Sequence, residues 1–217
     1  MKNVAFLTTI FPMEERFLID FFDSLSGQTY DNFYDVKMKY QNLSIIELPY
    51  SDTPAKNREY GINYCIKRKY DILIFGDSDD YFSNNRVELS LNMLNSNDIV
   101  VNDVSLFSDR GVYETMYISN RLSDNSKVNF NYIKNKNIFG LSNTALKINI
   151  LSKVSFDKDL VAVDWYLYKS LLKNSCKAIF TNKAITYYRQ HKDNTIGLQA
   201  GKGKYYLWWE QRNGEAN

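Results

Sequence analysis

A short apolar run, Asp71-Ile72-Leu73-Ile74-Phe75-Gly76, passes directly into Asp77-Ser78-Asp79-Asp80. A continuous apolar run of this length, bounded by charge and glycine, is the pattern of a strand covered on both faces, as in a parallel sheet between helices. It constrains the chain to an α/β architecture and delivers carboxylates to the carboxyl end of a strand, where open sheets bind their ligands. Carboxylates there suit Mg²⁺ or Mn²⁺, hard cations that share their shell with water and substrate phosphates. A metal-bound nucleotide is the substrate class implied.

Two other chemistries fit the same residues less well. Asp77 to Glu88 has the length of a calcium loop, but Phe82 stands where the sharp turn needs glycine and Tyr81 where an oxygen ligand belongs. An Asp-x-Asp phosphatase would carry its acids nearer the first strand. The bland reading is a solvated acidic turn.

The 217 residues, 44% hydrophobic and 24% charged, are those of an ordinary globular protein, with one domain over 1–200 and an aromatic, basic tail over 201–217. A formal charge of +2 gives no electrostatic case for nucleic acid. Cys65 and Cys176 are isolated and fit a reducing compartment. The apolar start of the chain breaks at Thr8-Thr9, too soon for a signal peptide, and no stretch approaches a membrane span, so a cytoplasmic protein is expected. In the tail, Tyr205, Tyr206, Trp208 and Trp209 lie beside Lys202 and Lys204. Exposed, they would suit a membrane interface or a contact between copies; otherwise they cover the core.

Strands and helices alternate along the first half. A strand is expected over Val4–Ile10, a helix over Glu14–Ser26, and a strand over Ser44–Leu48. A helix over Ala55–Arg68 follows, started by Thr53 as cap and Pro54 as first residue. After the acidic strand comes a helix over Arg86–Leu94. Asp98–Phe107 and Val112–Ile118 then read as a hairpin about Ser108-Asp109-Arg110-Gly111. Residues 120–137 read as a mobile surface loop, a lid. A helix over Asp164–Lys173 and strands near Lys177–Thr181 and Ala184–Arg189 complete the pattern.

Several segments now stand together: Gln28-Thr29-Tyr30, Arg58-Glu59-Tyr60-Gly61-Ile62, Asp77-Ser78-Asp79-Asp80, Gly140-Leu141-Ser142-Asn143, Val163-Asp164-Trp165, and Tyr188-Arg189-Gln190-His191 followed by Asn194 and Gly197. Their order and spacing resemble glycosyltransferase family 2, from Val4 to about Gly197. The resemblance implies a single GT-A-like domain, a Rossmann-like, mixed but mostly parallel sheet flanked by helices. It also implies inverting, metal-dependent transfer of a sugar from a nucleotide-sugar donor to a carbohydrate or lipid-linked carbohydrate acceptor. Bacterial surface-polysaccharide synthesis is the setting it brings.

By that resemblance Asp79 holds the divalent metal, Mn²⁺ or Mg²⁺, and Asp77, with Ser78, holds the donor ribose or a metal-bound water. Asp164 is the general base, with a helix cap as its structural alternative. Trp165 dries the site and stacks on the acceptor, which Asn143 also lines. His191, the sole histidine, is a third metal ligand, a phosphate contact or a surface residue. Arg58 and Arg189 clamp the diphosphate, unless they are merely solvated charges. Thr9 and Phe11 lie under the base, where Phe11 either stacks or joins the core. The chain departs from the family in lacking an Asp-Asp-Gly-Ser segment near Tyr34 to Leu43 and in carrying Val163 where the family has Glu. The first departure favours a non-catalytic sugar-nucleotide binder. A nucleotidyltransferase would need a Gly-rich basic first loop, which Thr8 to Met13 does not supply.

Overall fold

The computed structural model describes residues 2–29 and 46–191. Tyr30, the 34–43 departure, Asn194, Gly197 and the aromatic tail lie outside the described residues. The strands are β1 (Val4–Leu7), β2 (Ile72–Phe75), β3 (Tyr81–Phe82), β4 (Ile99–Ser108), β5 (Gly111–Glu114), β6 (Lys127–Val128), β7 (Thr144–Lys147) and β8 (Ala178–Arg189). The helices are α1 (Glu15–Ser26), α2 (Pro54–Lys67), α3 (Arg86–Met93), α4 (Phe130–Ile133) and α5 (Val163–Lys173).

The strands form one sheet in the order β1-β2-β7-β4-β8-β3, with β5 on β4 and β6 on β8. β1 runs parallel to β2, and β4 parallel to β8, while β7 is antiparallel to both β2 and β4. β1, β2, β4 and β8 therefore all point the same way, and β7 is inserted against them. This is the mixed α/β sheet expected: its two longest strands, β4 and β8, run parallel to each other and to β1 and β2, while the short strands β3, β5 and β6 join β7 in running the opposite way.

The acidic strand is buried along its whole length because helices cover both faces. Leu73 and Phe75 join Ala55, Ile62 and Cys65 of α2 on one side; Ile72 and Ile74 meet Val87 and Leu94 on the other. Each such side chain contributes about 1.5–3 kcal/mol on burial. Thr53 accepts from Lys56 N and Pro54 opens α2, as the sequence indicates. Gln28 ties two helices together: its amide donates to Ser24 O and Ser83 O, and its Oε1 accepts from Val87 N at the start of α3.

Where the strand leaves the sheet, Gly76 passes against two rings. A Cβ at this position would lie 2.5 Å from Phe6 Cε1 and 2.7 Å from Phe82 Cζ. Gly76→Ala is expected to cost about 1–3 kcal/mol through overpacking, read as a lower urea midpoint.

The structure corrects several local expectations. β1 stops at Leu7 rather than Ile10, because Thr9 turns its carbonyl towards Ser78. Of the strand expected over 44–48, residues 44 and 45 lie outside the described residues, and Ile46–Leu48 is not a strand. The two late strands are one, β8, whose register shifts opposite Asn102 and Asp103. Asp124 holds that irregularity by accepting from Thr181 Oγ1 and Asn182 N. Residues 120–137 are no open lid: they contain β6 and α4, bury Val128 and Ile133, and accept a hydrogen bond from Trp165 Nε1 at Ile133 O. β7 was not anticipated, since Thr-Ala-Leu-Lys carries little strand signal of its own.

Candidate active site

Four strands pointing one way place their carboxyl ends on one edge of the sheet, and the loops after β1, β2 and β8 meet there. The acid loop after β2 is tied on several sides. Asp77 N donates to Ser142 Oγ at 3.1 Å, and the buried Ser78 hydroxyl donates to Thr9 O at 2.8 Å. Asp80, fully buried, accepts Arg189 N at 2.8 Å, and Asp79 O accepts Arg189 Nε at 2.7 Å. Backbone and polar side chains are thus spent on holding the loop, the Asp77 carboxylate keeps about a quarter of its side chain exposed, and Asp79 is buried with its carboxylate turned to His191.

Asp79 and His191 meet although 112 positions separate them: Asp79 Oδ2 lies 3.0 Å from His191 Nε2. A carboxylate oxygen and an imidazole nitrogen at this separation either share a proton or both turn lone pairs towards a cation. Adjacent donors of an octahedral shell with 2.0–2.1 Å bonds also stand about 3 Å apart, so this oxygen and nitrogen fit Mn²⁺ or Mg²⁺ in spacing and in chemistry. Among the described residues no third His, Cys, Asp or Glu joins them in a metal-binding group. Further ligands would come from water and a diphosphate.

Arg58, in the first half of α2, reaches Asp77 at 3.4 Å and keeps a quarter of its side chain exposed. Its remaining N–H groups are available to phosphate oxygens. Burial raises the Asp77 carboxyl, against the pull of Arg58, and the neighbouring Asp79 charge raises it further. Phe11, on the loop after β1, is 42% exposed and so does not join the core, and Thr9 is half-buried two residues before it.

Asp164 lies in the first turn of α5, two residues past the capping position at Ala162. It is therefore not the N-cap. Burial pushes its carboxyl up to about 6, opposed by the Trp165 N–H, by Arg58 and by the Asn137 amide. Those two hydrogen bonds measure 2.7 and 3.2 Å. Asp164 is thus a half-buried carboxyl that holds its proton more tightly than usual, within the electrostatic reach of Arg58 and Asp77.

Three expected contacts are corrected. Arg189 does not present a guanidinium to a diphosphate: it is 4% exposed, stacked between Phe17 at 4.2 Å and Phe107 at 4.4 Å, and paired with Asp20 at 2.5 Å. Trp165 is 8% exposed and donates its indole N–H to Ile133 O, so it is core rather than an acceptor platform. Asn143 is 2% exposed and spends its amide on Asn102 O and Ile138 O. Ser78 likewise acts through its tie to Thr9. Val163, at the family's Glu position, is buried in the core.

Sequence reasoning missed Ser142, Asn137 and Tyr188 as contributors to the site. Ser142 and Tyr188 stood inside recognised segments, whereas Asn137 sat in an Asn-rich run with no distinguishing signal. Burial raises the Tyr188 hydroxyl well above its usual value, and the charges of Asp80, Asp77, Asp79 and Asp164 all add to the rise.

No family model matches the chain, and no curated protein matches it in sequence. Solved structures do match in shape. S. aureus TarS 1–349 in complex with UDP-GlcNAc superposes with a TM-score of 0.63 at 16% identity, over 91% of this chain and 62% of that one. GalNAc-T7 with UDP, GalNAc and Mn²⁺ gives 0.62 at 9% identity, over 98% of this chain and 48% of that one. A197 from STIV gives 0.52 at 15% identity, over 93% of this chain and 100% of that one. The fold is GT-A-like, the fold of the glycosyltransferase structures it matches. The chain spans 62% of the TarS 1–349 structure. Among the described residues no helix is long and apolar enough to cross a membrane.

Proposed function

We propose that the chain transfers a sugar, with inversion, from a nucleotide-sugar donor to a carbohydrate or lipid-linked carbohydrate acceptor, in bacterial surface-polysaccharide synthesis. The observation that carries this reading is the convergence at one sheet edge of Asp79 with His191, Arg58 with Asp77, and a half-buried Asp164. The UDP-GlcNAc in the TarS structure and the UDP and Mn²⁺ in the GalNAc-T7 structure are consistent with a UDP-type donor and a divalent ion.

Asp79 and His191 would hold the ion, which when bound supplies Lewis-acid stabilisation of the departing diphosphate. Arg58 adds charge-assisted hydrogen bonds to the same oxygens, and Phe11 stacks on the base. Asp164 takes the proton of the acceptor hydroxyl while that oxygen forms its bond to the anomeric carbon and the carbon–oxygen bond to the diphosphate breaks. No protein nucleophile is needed for inversion. The buried core behind α5, Trp165 included, limits water around Asp164 and keeps the carboxylate basic.

Thermal shifts with a panel of nucleoside diphosphates, each with and without Mn²⁺, test the donor half of the proposal, since a ligand that binds only the native state raises the melting temperature. Asp79→Asn should fold normally and lose the metal-dependent part of the shift. If the variant keeps it in full, Asp79 is not a metal ligand. A donor that binds and is never turned over would favour a non-catalytic binder.

A further inference from the structure

One buried charge beside the acid loop has no part in the assignments above. Arg86 opens α3 and is fully buried, a rare place for a guanidinium. Its Nη2 donates to Phe75 O at 2.6 Å and its Nε to Asn102 Oδ1 at 3.1 Å. The guanidinium carbon lies 4.2 Å from the centroid of Phe82 and 5.5 Å from that of Phe6. Phe75 and Phe82 are the two stems from which the acid loop rises, so the cation sits beneath the acids and between the stems. Among the described residues Arg86 Nη1 and Asp80 Oδ2 are both buried without a hydrogen-bond partner, and burial, with Asp79 and Asp77 beside it, raises the Asp80 carboxyl well above its usual range. Burial pushes the guanidinium down to about 9, and the attractions of Asp80 and Asp77 work against that fall. The group is therefore cationic at neutral pH and lies within the field of the acids.

We propose that Arg86 is the fixed internal counter-charge of the acid loop and lowers the affinity of the bare site for a divalent cation, so that the ion is held firmly only together with a diphosphate. The inference rests on the reading of Asp79 and His191 as metal ligands. Two protein donors make a weak site alone. A cation locked beneath them makes it weaker, and the diphosphate restores both oxygen ligands and negative charge. Metal and nucleotide then bind as a pair, and the empty crevice does not collect stray ions.

Titration with Mn²⁺ alone, followed by the electron-spin resonance of the free ion, tests this by the sign of the change. Arg86→Met keeps the bulk and the contact with Phe82 while removing the charge, and should bind Mn²⁺ roughly tenfold tighter than wild type, given the strength of a nearby unit charge at protein-like screening. Arg86→Lys should stay close to wild type. Arg86→Gln also removes the charge and keeps an amide donor for Phe75 O or Asn102 Oδ1; it should also tighten binding, and it carries the test if Arg86→Met does not fold. A loop that had merely lost its support would bind more weakly. Equal or weaker Mn²⁺ binding in folded Arg86→Met or Arg86→Gln overturns the proposal and leaves the metal assignment standing. A wild type that binds no Mn²⁺, alone or with UDP, removes the metal assignment and this inference with it.

Discussion

Asp164→Asn is expected to lower sugar transfer by about 10²- to 10⁴-fold, the usual worth of a general base, while donor affinity stays near wild type. The amide keeps the shape of the carboxyl and can still accept the Trp165 N–H, so folding should be undisturbed. The wild-type pH profile provides a second readout. Because burial pushes the carboxyl up to about 6, Asp164 is protonated below that pH and unable to accept a proton. Transfer should therefore fall as pH drops through about 6 and level off above it, and the variant should lose this limb. Near-wild-type transfer by Asp164→Asn, with its correct donor and acceptor, would mean that the proton goes elsewhere.

Arg189→Met should unfold the protein more readily rather than simply weaken donor binding. The guanidinium sits between Phe17 and Phe107 and donates to Asp79 O, and the methionine leaves that carbonyl without its charged partner. A buried polar group left unpaired costs about 1–3 kcal/mol, and loss of the stacked bulk adds to it, so a drop of about 3 kcal/mol in urea denaturation is the expected result. Unchanged stability with a raised donor KM would return Arg189 to the role of diphosphate clamp.

The parts of this molecule written locally were legible in its sequence. The buried run of β2, the Thr53-Pro54 start of α2 and the hairpin around Gly111 each declare themselves within a few residues, and each stands close to where it was expected. What depends on distant partners was not legible. β7 has almost no strand character and exists because β2 and β4 pair with it on either side. Residues 120–137 look polar and aperiodic, yet Val128, Ile133 and the indole of Trp165 fix them from within. Residue type also hides burial: an arginine reads as a solvated charge or a phosphate clamp, and neither Arg189 nor Arg86 is primarily either. The approach of His191 to Asp79 follows only from the order of motifs, since spacing alone says nothing about which loops meet.

β8 both pairs along most of β4 and leads into His191. Its partner strand leaves the ribosome some eighty residues earlier, so the centre of the sheet lacks a neighbour through much of synthesis. Contacts this far apart in sequence slow folding and leave strand edges bare while the chain waits. The acid site and the sheet are therefore expected to be completed together, since Asp79 gains its imidazole neighbour only when β4 gains its strand. Nascent chains halted before residue 178 should engage chaperones and retain no nucleotide, and acquisition of ligand binding should coincide with release from the chaperone.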